Sequence, residues 1–515
     1  MTSPLRARWL GSVPYAEAEA LQRAVHAHGV DDYLLLQEHP HVYTLGSSAH
    51  EEHILCEPAS VGADLLEADR GGDVTYHGPG QLVGYPIISL AEWRAGQRDV
   101  VAYVRHLEDV LIAVLADFDI KAERIPRYTG VWVDDEKIAA IGVRVARGRT
   151  RHGFALNVDP DMTMFSNIVP CGIADRGVTS MARVLGGEAP DMKSVVGAVI
   201  DHFAEVFGHR DVERQDVAWR RGIGGGVPTT EARPEWMRIR AKFDEGYIET
   251  KRLVKGLELH TVCEEAGCPN IYECWADRTA TFMILGDRCT RACGFCQVDT
   301  RKPLAADEDE PRRVAEGVRT MGLAHAVITC VARDDMPDGG AHIFAETVHA
   351  IRAVSPETRV ELLIADCKGD AASLQSIFDA RPDVLNHNLE TVARLQRVAR
   401  PSAGYARSLG VLARAKDAGL TTKSGLILGM GETVDELRAA ITDLRAVGVD
   451  ILTIGQYLRP STQHLPVVKW WHPDEFDGLG EFARSLGFRH VEAGPLVRSS
   501  YHARAAAEPV AIAST

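Results

Sequence analysis

The chain has no uninterrupted apolar stretch of the roughly 20 residues that a membrane-spanning helix needs. Its opening, MTSPLRARWLGSVPYAEAEALQ, carries a proline at position 4, scattered arginines and no apolar core of signal-peptide length, so no targeting segment is expected. Surplus positive charge is missing too. The formal net charge is −15, which argues against a general nucleic-acid or anionic-membrane surface while leaving room for local basic patches. No glycine-rich phosphate cradle of P-loop form occurs. Cysteine is scarce outside one window: six of the ten lie within the 34 residues from Cys263 to Cys296, leaving Cys56, Cys171, Cys330 and Cys367. Without a secretion signal, such clustering points to metal or redox chemistry before disulfides. The expectation is a soluble cytoplasmic protein that binds neither nucleic acid nor membrane.

A length of 515 residues exceeds what one hydrophobic core usually serves, so two domains are expected. Residues 1–209 mix strand-like runs such as VWVDDEKIAAIGVRV and RHGFALNV with helical ones such as SVVGAVIDHFAEVFG, the pattern of an α+β fold with a mixed or antiparallel sheet. Residues 210–233, RDVERQDVAWRRGIGGGVPTTEAR, are charged and contain three consecutive glycines and a proline, which suits a linker. From 234 to 515, apolar runs (HAVITCVA, VELLIADC, VLNHNLE, TTKSGLILG, ILTIGQYL) alternate with amphipathic helical segments that end in glycine. Repeated βα units imply a parallel sheet, open or closed into a barrel, with chemistry at the carboxyl ends of its strands.

Cys289, Cys293 and Cys296 lie in CTRACGFC, spaced C-x-x-x-C-x-x-C, just after the strand-like TFMILG. Three thiolates on one tight loop suit a cubane cluster that leaves one iron without a cysteine, whereas an electron-transfer 4Fe–4S cluster takes four. A zinc site is the alternative, but structural zinc wants four ligands and no fourth Cys or His stands at finger spacing. A second triplet, Cys263, Cys268 and Cys274 in LHTVCEEAGCPNIYECW, precedes the first.

The CTRACGFC loop resembles the radical S-adenosylmethionine (radical SAM) superfamily, in which the open iron chelates SAM and one electron yields a 5′-deoxyadenosyl radical. With the second triplet and the C-terminal VRSSYHA, the chain resembles lipoyl synthases, a likeness also carried by RPEWMRIR, RDDMPDGGA, NHNLETV, TKSGLILGMGET and QYLRPS. The resemblance implies a partial (βα) barrel with cluster-binding extensions and two 4Fe–4S clusters. One would be on Cys289, Cys293 and Cys296 with SAM. The other, an auxiliary sulfur source, would be on Cys263, Cys268 and Cys274 with Ser500 as oxygen ligand and Ser499 as its neighbouring candidate. Asn388, Glu390 and the Gly429–Glu432 turn become candidate SAM contacts, with capping or packing as the plainer alternative. The reaction implied is sulfur insertion at carbons six and eight of an octanoyl chain on a carrier-protein lysine, with ferredoxin or flavodoxin as reductant. One departure is ELLIADCKGD, where the family pattern carries proline–aspartate–phenylalanine; it adds Cys367, which like Cys330 and Cys56 reads as a buried thiol.

In the first half, Cys171 follows a proline in SNIVPCGIADRGVTSM and precedes an expected helix, whose dipole would favour thiolate. A lone cysteine is more often packing. Two further segments, RGGDVTYHGPGQLVGYPI and DDEKIAAIGVR, supply sharp glycine turns and Lys137 at the start of a strand, where a partly desolvated ammonium could activate a thiol; a surface lysine is the bland alternative. His77 is either an acid–base group or a loop anchor. With LQEHPHVYTLG, these residues resemble octanoyltransferases of the biotin/lipoate ligase-like fold. That resemblance implies a Cys171 thioester drawn from octanoyl-acyl carrier protein, with Lys137 as activator. It implies transfer to lipoyl domains of 2-oxo acid dehydrogenase acyltransferase subunits or the glycine-cleavage carrier. The binding cavity would be formed by Arg70, Gly71, Gly72, Asp73, Val74, Thr75, Tyr76 and His77, by Ala140, Ile141 and Gly142, and by Gly153, Phe154 and Ala155. The rival is an ATP-dependent lipoate ligase of the same fold, disfavoured by Cys171 with Lys137.

Overall fold

The computed structural model describes residues 3–90, 99–173, 175–219, 226–238, 245–257, 259–261, 264, 268, 270–272 and 281–507. Contacts divide the chain into two compact units, Met1–Trp219 and Arg220–Thr515. No helix among the described residues is long and apolar enough to cross a membrane.

The first unit is built on a mixed sheet whose strands run in the order β12 (Val212–Asp216), β1 (Leu5–Ser12), β2 (Asp32–Glu38), β6 (Gln81–Ile87), β10 (Arg149–Asn157), β9 (Glu136–Ala146), β8 (Tyr128–Val133) and β7 (Glu123–Ile125), with β11 (Gly177–Val178) paired to β9. The sheet's centre is antiparallel: β2 with β6, β6 with β10 and β10 with β9. A second small sheet orders β4 (Asp64–Glu67), β3 (Val42–Leu45) and β5 (Thr75–His77). Helices α1 (Tyr15–His28), α2 (Val100–Ala116), α3 (Met181–Val184) and α4 (Met192–Phe207) accompany these strands. Asp99 and Asp191 cap α2 and α4 by accepting backbone N–H groups that a helix start leaves unpaired. Leu107, Val110, Leu111 and Val114 of α2 and Val195, Val199 and Phe203 of α4 bury one stripe each in the main core.

The expected linker starts too early. Val212–Asp216 runs parallel to β1, from Leu5 opposite Val212 to Trp9 opposite Asp216, and Trp219 stacks on Trp9 at 4.3 Å. Charged residues such as Glu213 mask the strand in the sequence, because Glu213 is paired by Arg6 and Arg8 rather than solvated.

The second unit is an open sheet in the order β13 (His260–Thr261), β14 (Thr281–Ile284), β15 (His325–Cys330), β16 (Arg359–Leu363), β17 (Val384–Asn386), β18 (Thr422–Leu428), β19 (Ile451–Gln456) and β20 (His490–Ala493). From β14 onward all pairs are parallel. Helices at 310–321, 341–354, 371–379, 405–417, 434–446 and 473–485 lie along the chain between or after these strands, as a βα succession requires. The helix at 434–446 opens on a capping box of Thr433 and Glu436. Alternation sorts the strands: Ile328 and Leu362 join the large core, while Thr329 and Leu363 face a hollow.

Candidate active sites

In the first unit a cavity of about 570 Å³ gathers Cys171, Lys137 and His77 with the glycine loop and the facing strands. The two predicted tripeptides are direct cross-strand partners, Ala140 opposite Ala155, Ile141 opposite Phe154 and Gly142 opposite Gly153. Small residues there leave room for a ligand, and the loop lies close on β9: a side chain at Gly142 would meet the Gly71 carbonyl at 2.9 Å. Two predicted cavity residues are not in its wall. Val74 and Tyr76 are fully buried on the other side, in the small core with Tyr43 and Phe165, because strand alternation sends Thr75 and His77 inward and their neighbours away.

Cys171 occupies a left-handed turn, φ 55° and ψ 22°, within Pro170–Gly172. Among the described residues no helix directly follows it, and the next one is the four-residue α3 starting at Met181. The turn is held instead by the Cys171 N–H, which donates to the Val74 carbonyl at 2.9 Å. Lys137 is buried, not a surface residue, and its ammonium lies 4.9 Å from the Trp132 ring centroid. His77 is buried beside His39; burial, then the neighbouring His39 and Arg70, pushes its proton affinity well below the ordinary histidine range. It stays neutral near pH 7. Its Nδ1 faces Gln81 Oε1 at 2.7 Å, an acceptor, which assigns the proton to Nδ1 and a lone pair to Nε2. Gln81 Nε2 donates to Asn157 Oδ1 at 2.9 Å, Asn157 Nδ2 to the Thr179 carbonyl at 2.9 Å, and the Thr179 N–H to the Lys137 carbonyl at 3.0 Å. One hydrogen-bonded chain therefore links His77 to the backbone of Lys137. Arg70 clamps the glycine loop, donating to the Asp73 carbonyl at 2.8 Å and to Thr44 at 2.7 Å.

The second unit has two hollows of about 270 Å³ each, which share Cys296, Thr329, Leu363, Asn388 and Glu390 in their walls. One contains Cys289 and Cys293; the other contains Cys268, Arg498, Ser499 and Ser500. Cys263 and Cys274 lie outside the described residues. The cysteine loop leaves β14 through Leu285 and Gly286, both with positive φ, and is fastened by Arg291, which donates to Asp334 at 2.8 Å and to Asp366 at 2.6 Å. Asp366 is the residue that survives in the ADC departure. Arg291 was not singled out in the sequence, although an arginine between the cysteines with acidic residues after β15 and β16 was a readable signal. Cys289 Sγ accepts N–H groups from Arg291 at 3.4 Å and Ala332 at 3.3 Å.

Burial pushes the Cys293 thiol up to about 12 and raises Cys296 and Cys268 as well. Deprotonating them requires positive charge in the hollow, which an iron cluster supplies. Among the described residues no three His, Cys, Asp or Glu side chains converge at the spacing of a single metal ion. Thiolates on a cubane each bind a different iron, so this donor set suits a cluster better than zinc. Glu390 sits at φ 69°, and burial raises its carboxyl despite Arg400 nearby. Asn388 and Ser499 exchange hydrogen bonds at 2.6 and 2.9 Å. The Gly429–Glu432 turn lines neither hollow: Glu432 turns back to accept from the N–H groups of Gly429 and Met430 and from Trp471 Nε1, the capping alternative. Cys367 is buried, and Cys330 lines the hollow of Cys289.

Residues 13–204 match the lipoyl protein ligase A/B catalytic domain, and residues 283–444 match the radical SAM superfamily. Over 273 residues the chain is 59% identical to the lipoyl synthase of Mycobacterium bovis (strain BCG / Pasteur 1173P2), covering 53% of this chain and 88% of that protein. The lipoyl synthase of Mycobacterium avium (strain 104) is equally similar, with 89% of its length covered. Among solved structures, lipoate-protein ligase A bound with ATP aligns at 18% identity over 42% of this chain and 90% of that one, with a TM-score of 0.36, too slight to argue from. The family brings SAM and iron–sulfur clusters with it, and the thiols of the second unit fit them. The chain thus belongs to the lipoyl synthase family of the radical SAM superfamily, carries a lipoyl protein ligase A/B catalytic domain ahead of it, and is a bifunctional enzyme of lipoate biosynthesis.

Proposed function

We propose that the first unit moves an octanoyl group from an acyl-carrier thioester to Cys171 and then to a lysine of a lipoyl domain, and that the second unit sulfurates that chain at carbons six and eight. Support for the first step is the opening of Cys171 and buried Lys137 on one cavity with small, largely apolar strand walls. Lys137 in its amine form takes the thiol proton as Cys171 attacks the thioester carbonyl, then returns it to the departing carrier thiolate. The acceptor lysine attacks the new thioester, an acyl donor more open to amines than the amide that results. The neutral Nε2 of His77 is an acceptor for the proton that this amine sheds. No ATP enters. Mixing octanoyl-carrier thioester with the full chain should leave an acyl adduct on Cys171; transfer by Cys171→Ala would overturn this step.

For the second unit we assign Cys289, Cys293 and Cys296 to one 4Fe–4S cluster with SAM at its open iron. Cys263, Cys268 and Cys274 with Ser500 are assigned to another. When bound, SAM and the clusters supply a carbon radical strong enough for an unactivated C–H bond and the sulfide that replaces the hydrogens. The wall shared by the two hollows is what favours this reading, since a substrate carbon there would have Cys296 on one side and Cys268 with Ser500 on the other. Ser500 is preferred over Ser499 because the Ser499 hydroxyl is engaged with Asn388, whereas Ser500 Oγ has no hydrogen-bond partner among the described residues. Arg291 holds the cysteine loop to the strand ends, and Asn388 and Glu390 present polar groups to whatever enters. Anaerobic protein should hold about eight irons per chain, and about four would remove the second cluster. The partners this reading requires are octanoyl-acyl carrier protein, a lipoyl domain of a 2-oxo acid dehydrogenase subunit or of the glycine-cleavage carrier, and a ferredoxin- or flavodoxin-type reductant.

A further inference from the structure

The turn that presents Cys171 is tied to a carboxylate that the reaction itself does not use. Asp73 lines the cavity and accepts at both oxygens: Oδ1 from the N–H groups of Val74 at 2.7 Å and His50 at 3.2 Å, and Oδ2 from His53 Nδ1 at 2.5 Å. Oδ2 lies against the residue after the nucleophile, where a Cβ added to Gly172 would meet it at 2.7 Å and His53 Cε1 at 3.5 Å. The backbone closes the same knot. Val169 N–H donates to the His53 carbonyl at 2.8 Å, Leu55 N–H to the Asn167 carbonyl at 2.8 Å, and Ile54 bridges Ile168. Val74, whose N–H is held by Asp73, offers the carbonyl that receives the Cys171 N–H.

This arrangement carries an electrostatic difficulty. A carboxylate beside a nucleophilic thiol disfavours the thiolate on which attack depends. Left without a donor, Oδ2 would turn its full charge on the Cys171 turn; the bond from His53 Nδ1, which lies against the same turn, takes up part of that charge. A left-handed cysteine also needs external restraint, because non-glycine residues occupy that region only under strain.

We propose that Asp73 and His53 form a positioning pair for Cys171, which holds the nucleophile's turn left-handed and, through the hydrogen bond from His53, tempers the carboxylate's charge beside the thiol. The proposal deepens the octanoyltransferase reading and rests on Cys171 being the acyl acceptor. His53 is not among the residues that line the cavity. The other titratable groups around the turn, Arg70, His77, Arg127, Lys137, His152 and Arg176 with Tyr15, Tyr85, Tyr128 and His50, are common to every variant compared, so a change can be traced to the pair.

The test follows the pH profile of Cys171 alkylation in the full-length protein, read on the Cys171 peptide by mass spectrometry so that other thiols do not contribute. His53→Ala should raise the midpoint by about one unit and slow acyl transfer at neutral pH about tenfold, at unchanged KM for the carrier thioester. His53→Asn, which keeps a donor near the Nδ1 position, should bring the midpoint back to within about a third of a unit. Asp73→Asn added to His53→Ala should lower it again, because the charge is gone. An unmoved midpoint in His53→Ala overturns the proposal, and so does a double variant as shifted as the single one. Failure of the unaltered protein to form any Cys171 adduct with donor thioester would instead strike the octanoyltransferase reading.

Discussion

In the first unit the reactive atoms belong to the polypeptide: a thiol, a lysine nitrogen and an imidazole spaced around one cavity, carried on backbone that hydrogen bonds fix. In the second unit the chain contributes a mount. Its buried thiols are poor acids as they stand, Cys293 being pushed up to about 12, and become ligands only when positive charge enters the hollow. The two regions also differ in what burial accomplishes. Around His77 it keeps a base neutral, whereas around Cys293 and Cys296 it disfavours the bare thiolate and leaves ligation dependent on positive charge entering the hollow. Self-contained chemistry tolerates an open, mixed sheet; a mount for clusters draws on a parallel sheet whose strand ends converge on one face.

The sharpest way to break this contrast is a pair of substitutions with crossed outcomes. Cys171→Ala should reduce octanoyl transfer by about a thousandfold or more, while sulfur insertion into an already octanoylated lipoyl domain stays within about twofold. Cys293→Ser should do the reverse, abolishing SAM-dependent sulfur insertion and about half of the bound iron, with transfer intact. Both activities failing together in either variant would deny the units their independence.

A smaller effect separates them in stability. In the second unit Lys423 and Glu361, both fully buried, pair at 2.9 Å, with Asn386 donating to the same carboxylate at 3.0 Å. Burial alone would raise the Glu361 carboxyl, but the Lys423 ammonium outweighs it and His325 assists, holding the group down at about 2. A carboxyl depressed on folding contributes stability above its unfolded value near 4.3, and that contribution drains away as pH falls from there toward 2. Lys423→Met strands the buried carboxylate and should cost the second unit about 3–5 kcal/mol in chemical denaturation, leaving the first unit's transition where it was.

Next in size is Gly172→Ala. Gly172 has φ 68°, and its added Cβ would press on Asp73 Oδ2, so acyl transfer should slow about tenfold while the first unit loses about 1 kcal/mol or more of stability. The smallest expected effect is Ser499→Ala, which removes both hydrogen bonds with Asn388 and should slow sulfur insertion about fivefold, against near-complete loss for Ser500→Ala. Equal losses at the two serines would reverse the ligand assignment.

Much of this was legible because the chemistry needs fixed residue types at fixed spacing. The spacing of CTRACGFC marks its loop in any context, and the βα succession from 310 to 485 declares itself through apolar runs and glycine stops. The unread parts depend on partners distant in sequence. Val212–Asp216 is polar or charged at four of its five positions, yet it becomes a strand because Arg6 and Arg8 on β1 meet Glu213. Asp73 and His53 join through a contact across 20 residues, and Arg291 reaches Asp366 across 75. The exclusion of Val74 and Tyr76 from the cavity could have been read, since alternate residues in a strand face opposite ways. The missing helix directly after Cys171 could not, because hydrogen bonds to the carbonyls of Val74 and His53 decide that turn.

One measurement bears on the whole account: intact mass of an apo lipoyl domain incubated anaerobically with the full chain, octanoyl-carrier thioester, SAM and dithionite, without ATP. The prediction is an octanoyl adduct that appears first and is replaced by a lipoyl adduct on the same lysine. Octanoylation that occurs only when ATP is supplied, or an octanoyl adduct that never gains sulfur on protein with its full complement of iron, would contradict it.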